Sequence, residues 1–584
     1  MNMSPKVLGS GFGRNHLLLV LIASAGSGCR TSVPVDLVIH GGSVITLDAT
    51  RPTAGAVAIA DGRVVGLADS TRAEWLASKP RVIDLDGAVV MPAFVDHHVH
   101  LFNVGMALLN ARDGGRLAIE LGGVRSLEEV GSLVRARAAA QPAGSWILGS
   151  GWSQASWGTQ ALPSHEVLDR AAPGHPVFLA RTDGHAGWLN RAAMAAAGID
   201  RTTADPEGGS IVRFPSGEPT GVLLERANEL VTGRLPSPVD ADIMAAFRLA
   251  AEALAQRGVV EGYDAGPLVY PGVVALNLDF GRYLTLLRRA DSVVPLPLRI
   301  NLMVPAPSRL ADSVLATSLD IQVSPRIRIT HLKLFADGAL GSRGAALTHP
   351  YVDDSKSRGV ARMSTEAIIG LTRRALDRGL GVATHAIGDE AVGRALDAYE
   401  RVIAERPGLA PGRLRIEHFS YAREPDFARA VRLGVVLSIQ SNFNSMPADE
   451  PTFGGIRVGR ANEARVYAWD RLERSGTRLV EGSDYFAVPG EPLAGFVASL
   501  VRRHAVGETR PDDEARRLAY RMNSMWVGPD GTSRGGVIRV GDPADLVVLS
   551  GNPLTAPRSE LAVIRVFGTI GHGRVVYSGS LGIH

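Results

Sequence analysis

Cysteine is almost missing from this chain: Cys29 is the only one among 584 residues. That excludes an intrachain disulfide and any zinc cluster built on thiolates. Lysine is nearly as scarce. It stands only at Lys6, Lys79, Lys333 and Lys356, and the rest of the 62 basic residues are arginine. A position that keeps lysine in such a chain is one that needs an amine. Net charge is low, +3 from 62 basic and 59 acidic residues, and no basic tract is interleaved with aromatics, so nucleic acid is not an expected partner. Downstream of the N-terminus no run reaches the ~18 apolar residues of a spanning helix. Hydrophobic residues at 45% and charged residues at 21% are the values of a folded globular chain. The length suggests two to four domains at ~100–200 residues each, or one large barrel with insertions.

The N-terminus reads as an export signal. Lys6 and Arg14 precede the apolar run Leu17–Ala23, then small residues from Ser24 to Gly28, then Cys29. A charged start, a short apolar core and small residues make a secretory signal. The cysteine directly after it resembles a bacterial lipobox, with Gly26 where leucine is usual. Residues 1–28 are therefore expected to be removed and Cys29 to be lipidated. The mature protein would lie outside the cytoplasm, in the periplasm or on the outer surface, touching membrane through the lipid anchor alone.

Both ends of the remaining chain are β-like. Val35–Leu47 alternates, and Ala56–Ala60, Asp61-Gly62 and Arg63–Val65 read as a hairpin around a tight Asp-Gly turn. Val537–Leu549 and Ala562–Tyr577 are again short β runs. The middle differs. Apolar strands at Val89–Val95, Trp146–Leu148, Ile327–Phe335, Leu380–Thr384, Leu414–Ile416, Val435–Ile439 and Arg478–Val480 alternate with helical stretches such as Ile243–Arg257, Thr365–Arg378 and Val392–Arg406. Repeated β/α alternation implies a parallel sheet with crossover helices, and at this length an α/β (β/α)8 barrel. The expected organisation is a small β-sandwich from residues 29–88 and 531–584, and a barrel over 89–530. Residues 103–230, rich in Gly, Pro and Trp, read as an insertion after the first barrel strand.

The chemistry-bearing pattern begins at Phe94-Val95-Asp96-His97-His98-Val99-His100. Residues i and i+2 of a strand share a face, so His98 and His100 are placed to grip one ion. Lys333, His385, His418 and Asp484 follow, each within or just after an apolar run, at spacings of 52, 33 and 66 residues. A βα unit takes ~30 residues. The five sites therefore fall on strands one, four, five, six and eight, at the strand C-termini where such barrels collect their chemistry.

In these stretches the chain resembles the amidohydrolase superfamily, specifically amidohydrolase family 3, which includes N-substituted formamide deformylase-like enzymes. The resemblance rests on Pro92–His100, Gly151-Trp152-Ser153-Gln154, Asp183-Gly184-His185, Lys333–Arg343, His385–Asp389, Ile416-Glu417-His418, Gly482-Ser483-Asp484 and Gly541–Leu546. It spans nearly the whole mature chain. His97, Ser153 and Gly344 depart from the usual pattern, and the strand phase points His97 away from the ion.

The resemblance implies one or two divalent ions, usually zinc, and a carbamate on Lys333 that bridges them. His98, His100 and Asp484 would hold the first ion, and His385 and His418 the second. Imidazole and carboxylate donors suit zinc, and a bound ion brings the pKa of a water towards ~7. Asp484 would take the proton and pass it to the leaving amine. His185 would act on the substrate carbonyl, with Trp152, Asp183, Asp337 and Arg343 lining the pocket. Each of these four also has a structural reading: core packing for Trp152, a turn for Asp183, helix capping for Asp337 and Arg343. The implied activity is hydrolysis of a C–N bond in an N-acyl or N-formyl amine or related amide, a small-molecule substrate. An ester, lactone or cyclic amide in the same site, and a non-catalytic binding lipoprotein, are the rivals. The oligomeric state stays open.

Overall fold

The computed structural model describes residues 34–159, 161–267, 280–316, 321–409, 412–445, 453–474, 477–484, 492–495, 524–527 and 533–583. The export segment and Cys29 lie outside the described residues.

Eight parallel strands form the central sheet in chain order: Phe94–Val99, Val259–Asp264, Arg299–Pro305, Ile327–Phe335, Gly381–Ala386, Leu414–His418, Val436–Ile439 and Leu479–Glu481. The last strand returns to the first, where the Asp484 amide donates to the His98 carbonyl oxygen at 2.7 Å. The result is a nearly closed TIM-like barrel. Helices Asp240–Ala255, Thr365–Asp377 and Asp389–Glu405 pack outside it through one continuous apolar cluster. Ser364 starts the second of these by accepting from the Ala367 amide, which satisfies one of the donors that a helix start leaves unpaired.

Strands two and three were not among the apolar runs found in the sequence. Polar residues interrupt each of them: Glu261 accepts from Arg299 at 2.9 Å and from Asn301 at 2.7 Å, which breaks up the apolar runs. The run Val89–Val95 is also divided. Val89–Pro92 belongs to a terminal sheet, between strands Ser43–Ile45 and Leu546–Leu549, and the barrel begins only at Phe94.

The two chain ends interleave. A six-stranded sheet holds strands from both ends, and in a five-stranded sheet the terminal Gly582–Ile583 pairs with Arg81–Asp84. Leu37, Ile39, Val57 and Ile59 of one sheet share an apolar cluster with Val44, Val90, Leu546 and Ile570 of the other. The N-terminal end supplies four strands of the five-stranded sheet and three of the six-stranded one, and the C-terminal end completes both.

The inserted region folds as its own layer. Strands Ile119–Glu120, Ile147–Trp152, Val177–Arg181, Ala186–Leu189, Gly209–Arg213 and Pro219–Glu225 make a six-stranded mixed sheet, and Trp146–Leu148 of the sequence reading belongs here rather than to the barrel. The insertion starts later than residue 103. Helix Leu101–Arg112 belongs to the barrel's outer layer, and at Gly105 a Cβ would stand 1.9 Å from the Ala246 carbonyl oxygen, so only glycine allows the two helices this approach. Among the described residues no helix is long and apolar enough to cross a membrane.

Candidate metal centre

All five sequence sites meet at one end of the barrel. Lys333, His385 and His418 lie on strands four, five and six, His98 and His100 at the end of strand one, and Asp484 three residues past strand eight. The ligand atoms of His98, His100 and Asp484 lie within 4.8 Å of one another, all three side chains being buried. Asp484 Oδ1 is 3.4 Å from His100 Nε2 and 3.8 Å from His98 Nε2. Lys333 Nζ stands 3.1 Å from that same His98 nitrogen. The rings of His385 and His418 sit 4.6 Å apart beside this group, and His418 lies 4.9 Å from His98.

Three departures from regular strand geometry make this convergence. Pairing skips Thr330, so a bulge shifts the phase of strand four. Ile327 and Ile329, which strict alternation would put on the face of His331 and Lys333, instead join the outer cluster with Leu332 and Leu334. Strand one slips in register against strand two between Asp96 and Val99. His97 therefore turns into the barrel floor, stacked 4.9 Å from Tyr263, while His98 still reaches the site. On strand six, neighbours Glu417 and His418 both reach the site, which alternation forbids. His418 has φ +75°, in the left-handed region, and that breaks the alternation; Asp484 has φ +48°. Sparsely populated backbone of this kind clusters at functional sites.

The ring nitrogens turned away from the centre are held. His98 Nδ1 meets Glu417 Oε2 at 2.5 Å, His100 Nδ1 the Gly266 carbonyl oxygen at 2.6 Å, and His418 Nδ1 Gln440 Oε1 at 2.7 Å. Such partners fix the tautomer and ring orientation of a metal-binding histidine, and losing one typically costs ~10–100-fold in affinity. Glu417 is itself gripped by the fully buried Arg415, whose Nε donates at 3.0 Å and whose Nη2 reaches the His97 carbonyl oxygen at 2.8 Å. Glu417 was legible only as part of Ile416-Glu417-His418; nothing local in the sequence told its role from that of its neighbour.

Electrostatics agree with the geometry. Burial pushes His98 down to about 4 and His418 down to about 3, and holds His385 well below its ordinary value, so all three present neutral imidazole. Burial brings the Lys333 amine down to about 8. Burial raises the Asp484 carboxyl, whereas His100, His98 and His418 lower it by more, a pull that positive charge at this cluster supplies. Asp484 Oδ1 is buried with no hydrogen-bond partner among the described residues. A buried anionic oxygen left over among neutral imidazoles is costly unless a cation meets it. The donor set therefore fits a divalent metal ion.

The weaker candidates divide. His185 comes from the inserted sheet, with its ring 5.3 Å from that of His385. Asp183 accepts from the His185 amide at 3.1 Å and from Arg181 Nη1 at 2.5 Å, so it shapes the turn that carries His185. Trp152 is not a pocket wall. It is fully buried in the insert's own core against Trp157 and Trp188, with Nε1 donating to the Leu179 carbonyl oxygen at 3.0 Å. Asp337 is not a substrate ligand either. Its carboxylate accepts three backbone amides, from Ile387 at 3.0 Å, Gly388 at 2.8 Å and Ala346 at 2.9 Å, which braces the loops after strands four and five. Arg343 donates to Asp353 at 2.8 Å, and Arg457 binds the same carboxylate, so Arg343 serves the loop rather than the metal group.

The profile of the amidohydrolase family matches residues 81–577. The chain belongs to the amidohydrolase family. YtcJ of Bacillus subtilis is 30% identical over 93% of this chain and 99% of its own length. An N-substituted formamide deformylase of Arthrobacter pascens is 27% identical, over 93% of this chain and 98% of its own. Among solved structures, a metal-dependent hydrolase from Pyrococcus horikoshii superposes with a TM-score of 0.66 at 25% identity, covering 90% of this chain and 99% of that one. Members of this family are metal-dependent hydrolases, and the family supports amide hydrolysis as the general reaction.

Proposed function

We propose that the chain hydrolyses the C–N bond of an N-acyl or N-formyl amine, or a related amide, with zinc as the metal. The observation that carries this reading is the closure of His98, His100 and Asp484 into one buried group with the Lys333 amine 3.1 Å from His98. A carbamate on Lys333 would complete the set and share a second ion with His385 and His418. When bound, the metal supplies a nucleophile at neutral pH and polarises the scissile carbonyl. The protein's residues do the rest. Asp484 holds the proton taken from water and returns it to the leaving nitrogen, and His185 donates to the carbonyl oxygen from the insert side. Beside His385, a cleft of about 770 Å³ runs between insert and barrel, lined by Pro305, Phe335 and Leu371 and also by Arg226, Glu229 and Arg362. That lining suits an amide carrying both apolar and polar groups.

A panel of N-formyl and N-acyl amines, with esters and lactones alongside, tests the reading on zinc-replete protein. The expected result is amine release that a chelator abolishes and zinc restores. Faster turnover of esters or lactones would move the assignment to the rival substrates; zinc-free protein inert to the whole panel would favour a binding role.

We also propose that the chain is exported and held at a membrane through lipid on Cys29, a reading supported by the charged, apolar and small-residue order before it. One acyl chain binds a membrane only marginally, whereas several hold firmly. Cys29→Ala should shift the protein from the membrane to the soluble fraction. A wild-type protein already soluble after export, starting upstream of Cys29, would overturn this.

A further inference from the structure

We propose that Glu225 is a positioning residue, the group by which the inserted sheet holds the His185 imidazole over the metal centre. This rests on the hydrolase reading above and extends it to a residue with no role so far. Glu225 ends the strand Pro219–Glu225, which pairs with the strand that follows His185, and its amide donates to the His185 carbonyl oxygen at 2.9 Å. Its own backbone is unusual: φ +52° and ψ −129°, a conformation that side-chain-bearing residues rarely adopt. Strain of that kind costs about 1–3 kcal/mol and persists only where the surroundings enforce it.

What the strained turn achieves is visible in the side chain. The Glu225 carboxylate is fully buried, and its Oε2 accepts from His185 Nδ1 at 2.8 Å and from Arg362 Nη1 at 3.4 Å. The loop that follows the Lys333 strand closes around the other oxygen. A Cβ at Gly338 would stand 1.8 Å from Glu225 Oε1, and one at Gly344 2.0 Å from it, so both positions must stay glycine for the carboxylate to fit. With Nδ1 committed to Glu225, the opposite nitrogen, Nε2, is the one left to meet a substrate, and the ring is locked 5.3 Å from His385. Burial disfavours the imidazolium, but the Glu225 carboxylate more than offsets this and raises His185 above its ordinary value. The carboxylate holds a proton on Nδ1 and fixes the ring's aim, and Nε2 donates to a carbonyl oxygen when the ring is the imidazolium, the form that a neighbouring carboxylate favours.

The rival explanation is that Glu225 only braces insert to barrel through Arg362. A double-mutant cycle separates the two. Steady-state kinetics, zinc content and thermal unfolding would be measured for His185→Ala, Glu225→Gln and the double variant, with Glu225→Asp run through the same cycle should Glu225→Gln fail to fold. The expected result is a kcat loss of about 10–100-fold in Glu225→Gln at unchanged KM and zinc content, and a double variant no slower than His185→Ala alone. Multiplying effects, or a lowered melting temperature and zinc content with kcat per bound zinc unchanged, would make Glu225 a brace and overturn the proposal. A second readout needs no substrate. In ¹⁵N-histidine spectra, with the His185 signals assigned by their loss in His185→Ala, Nδ1 should carry a fixed proton in the wild type and lose that fixed proton in Glu225→Gln. An unprotonated Nδ1 in the wild type overturns the proposal whether or not the amide panel has succeeded. A wild type inert to the panel but showing the expected spectra would instead count against the hydrolase reading alone.

Discussion

Replacing Lys333 by Arg or by Ala should strip metal from the centre and remove most activity, and the Ala variant should recover in part with a short carboxylic acid and zinc. The amine is fully buried, with burial bringing it down to about 8 from an ordinary 10.5. At pH 7 that leaves about 10% of the amine neutral, against roughly 0.03% for an exposed lysine. Only the neutral amine adds carbon dioxide. The resulting carbamate is an anion whose two oxygens can reach two cations, and it replaces a buried ammonium that otherwise faces a cost of several kcal/mol. Arginine offers no such route, because its guanidinium stays charged and does not add carbon dioxide. Reactivation of metal-stripped wild type by zinc, with dissolved carbon dioxide held constant, should therefore quicken about tenfold per pH unit below pH 8 and level off above it. A Lys333→Arg protein with normal zinc content and normal rate would show that the lysine is structural and that the histidines and Asp484 hold the metal alone.

The frame of this site was legible because its spacing was. Strands one, four, five, six and eight carry the residues whose intervals matched βα units, since each strand needs its crossover helix before the next can pair. What periodicity could not deliver were its own exceptions. The bulge at Thr330, the register slip around His97 and the positive φ of His418 all re-aim side chains through pairing and tertiary context, which no two-residue repeat records. Strands two and three hid for a related reason: Glu261, Asp264 and Asn301 face partners rather than solvent, so buried polar positions passed for loop. Trp152 and Asp337 failed as pocket residues because a motif marks where chain is constrained, not whether a ligand or a neighbouring backbone does the constraining. Glu225 lies 40 residues from the histidine it holds, and only the antiparallel pairing of the inserted sheet brings them together.

Asp484→Asn should abolish turnover while leaving much of the metal in place. Asparagine keeps an oxygen where Oδ1 or Oδ2 now faces His100, His98 and His418, so a ligand atom survives. It loses the capacity to hold a proton. The native carboxylate is placed for that task twice over. Its pKa lies below the ordinary carboxylate value, so it is ready to accept, and the ring nitrogens of His100, His98 and His418 stand 3.4, 3.8 and 4.0 Å from its oxygens. Its backbone at φ +48° is set by neighbours that do not change in the variant: the Asp484 amide on the His98 carbonyl oxygen, and Asp96 accepting the Ser483 amide at 2.9 Å. Fold and zinc content should therefore stay close to wild type while kcat falls by the ~10²–10⁴-fold typical of a lost general base. Zinc stoichiometry and kcat on the same preparation decide the matter. Near wild-type rates in zinc-replete Asp484→Asn would remove the carboxylate from proton transfer, whereas loss of zinc in step with activity would make Asp484 a ligand first and a base only by proximity.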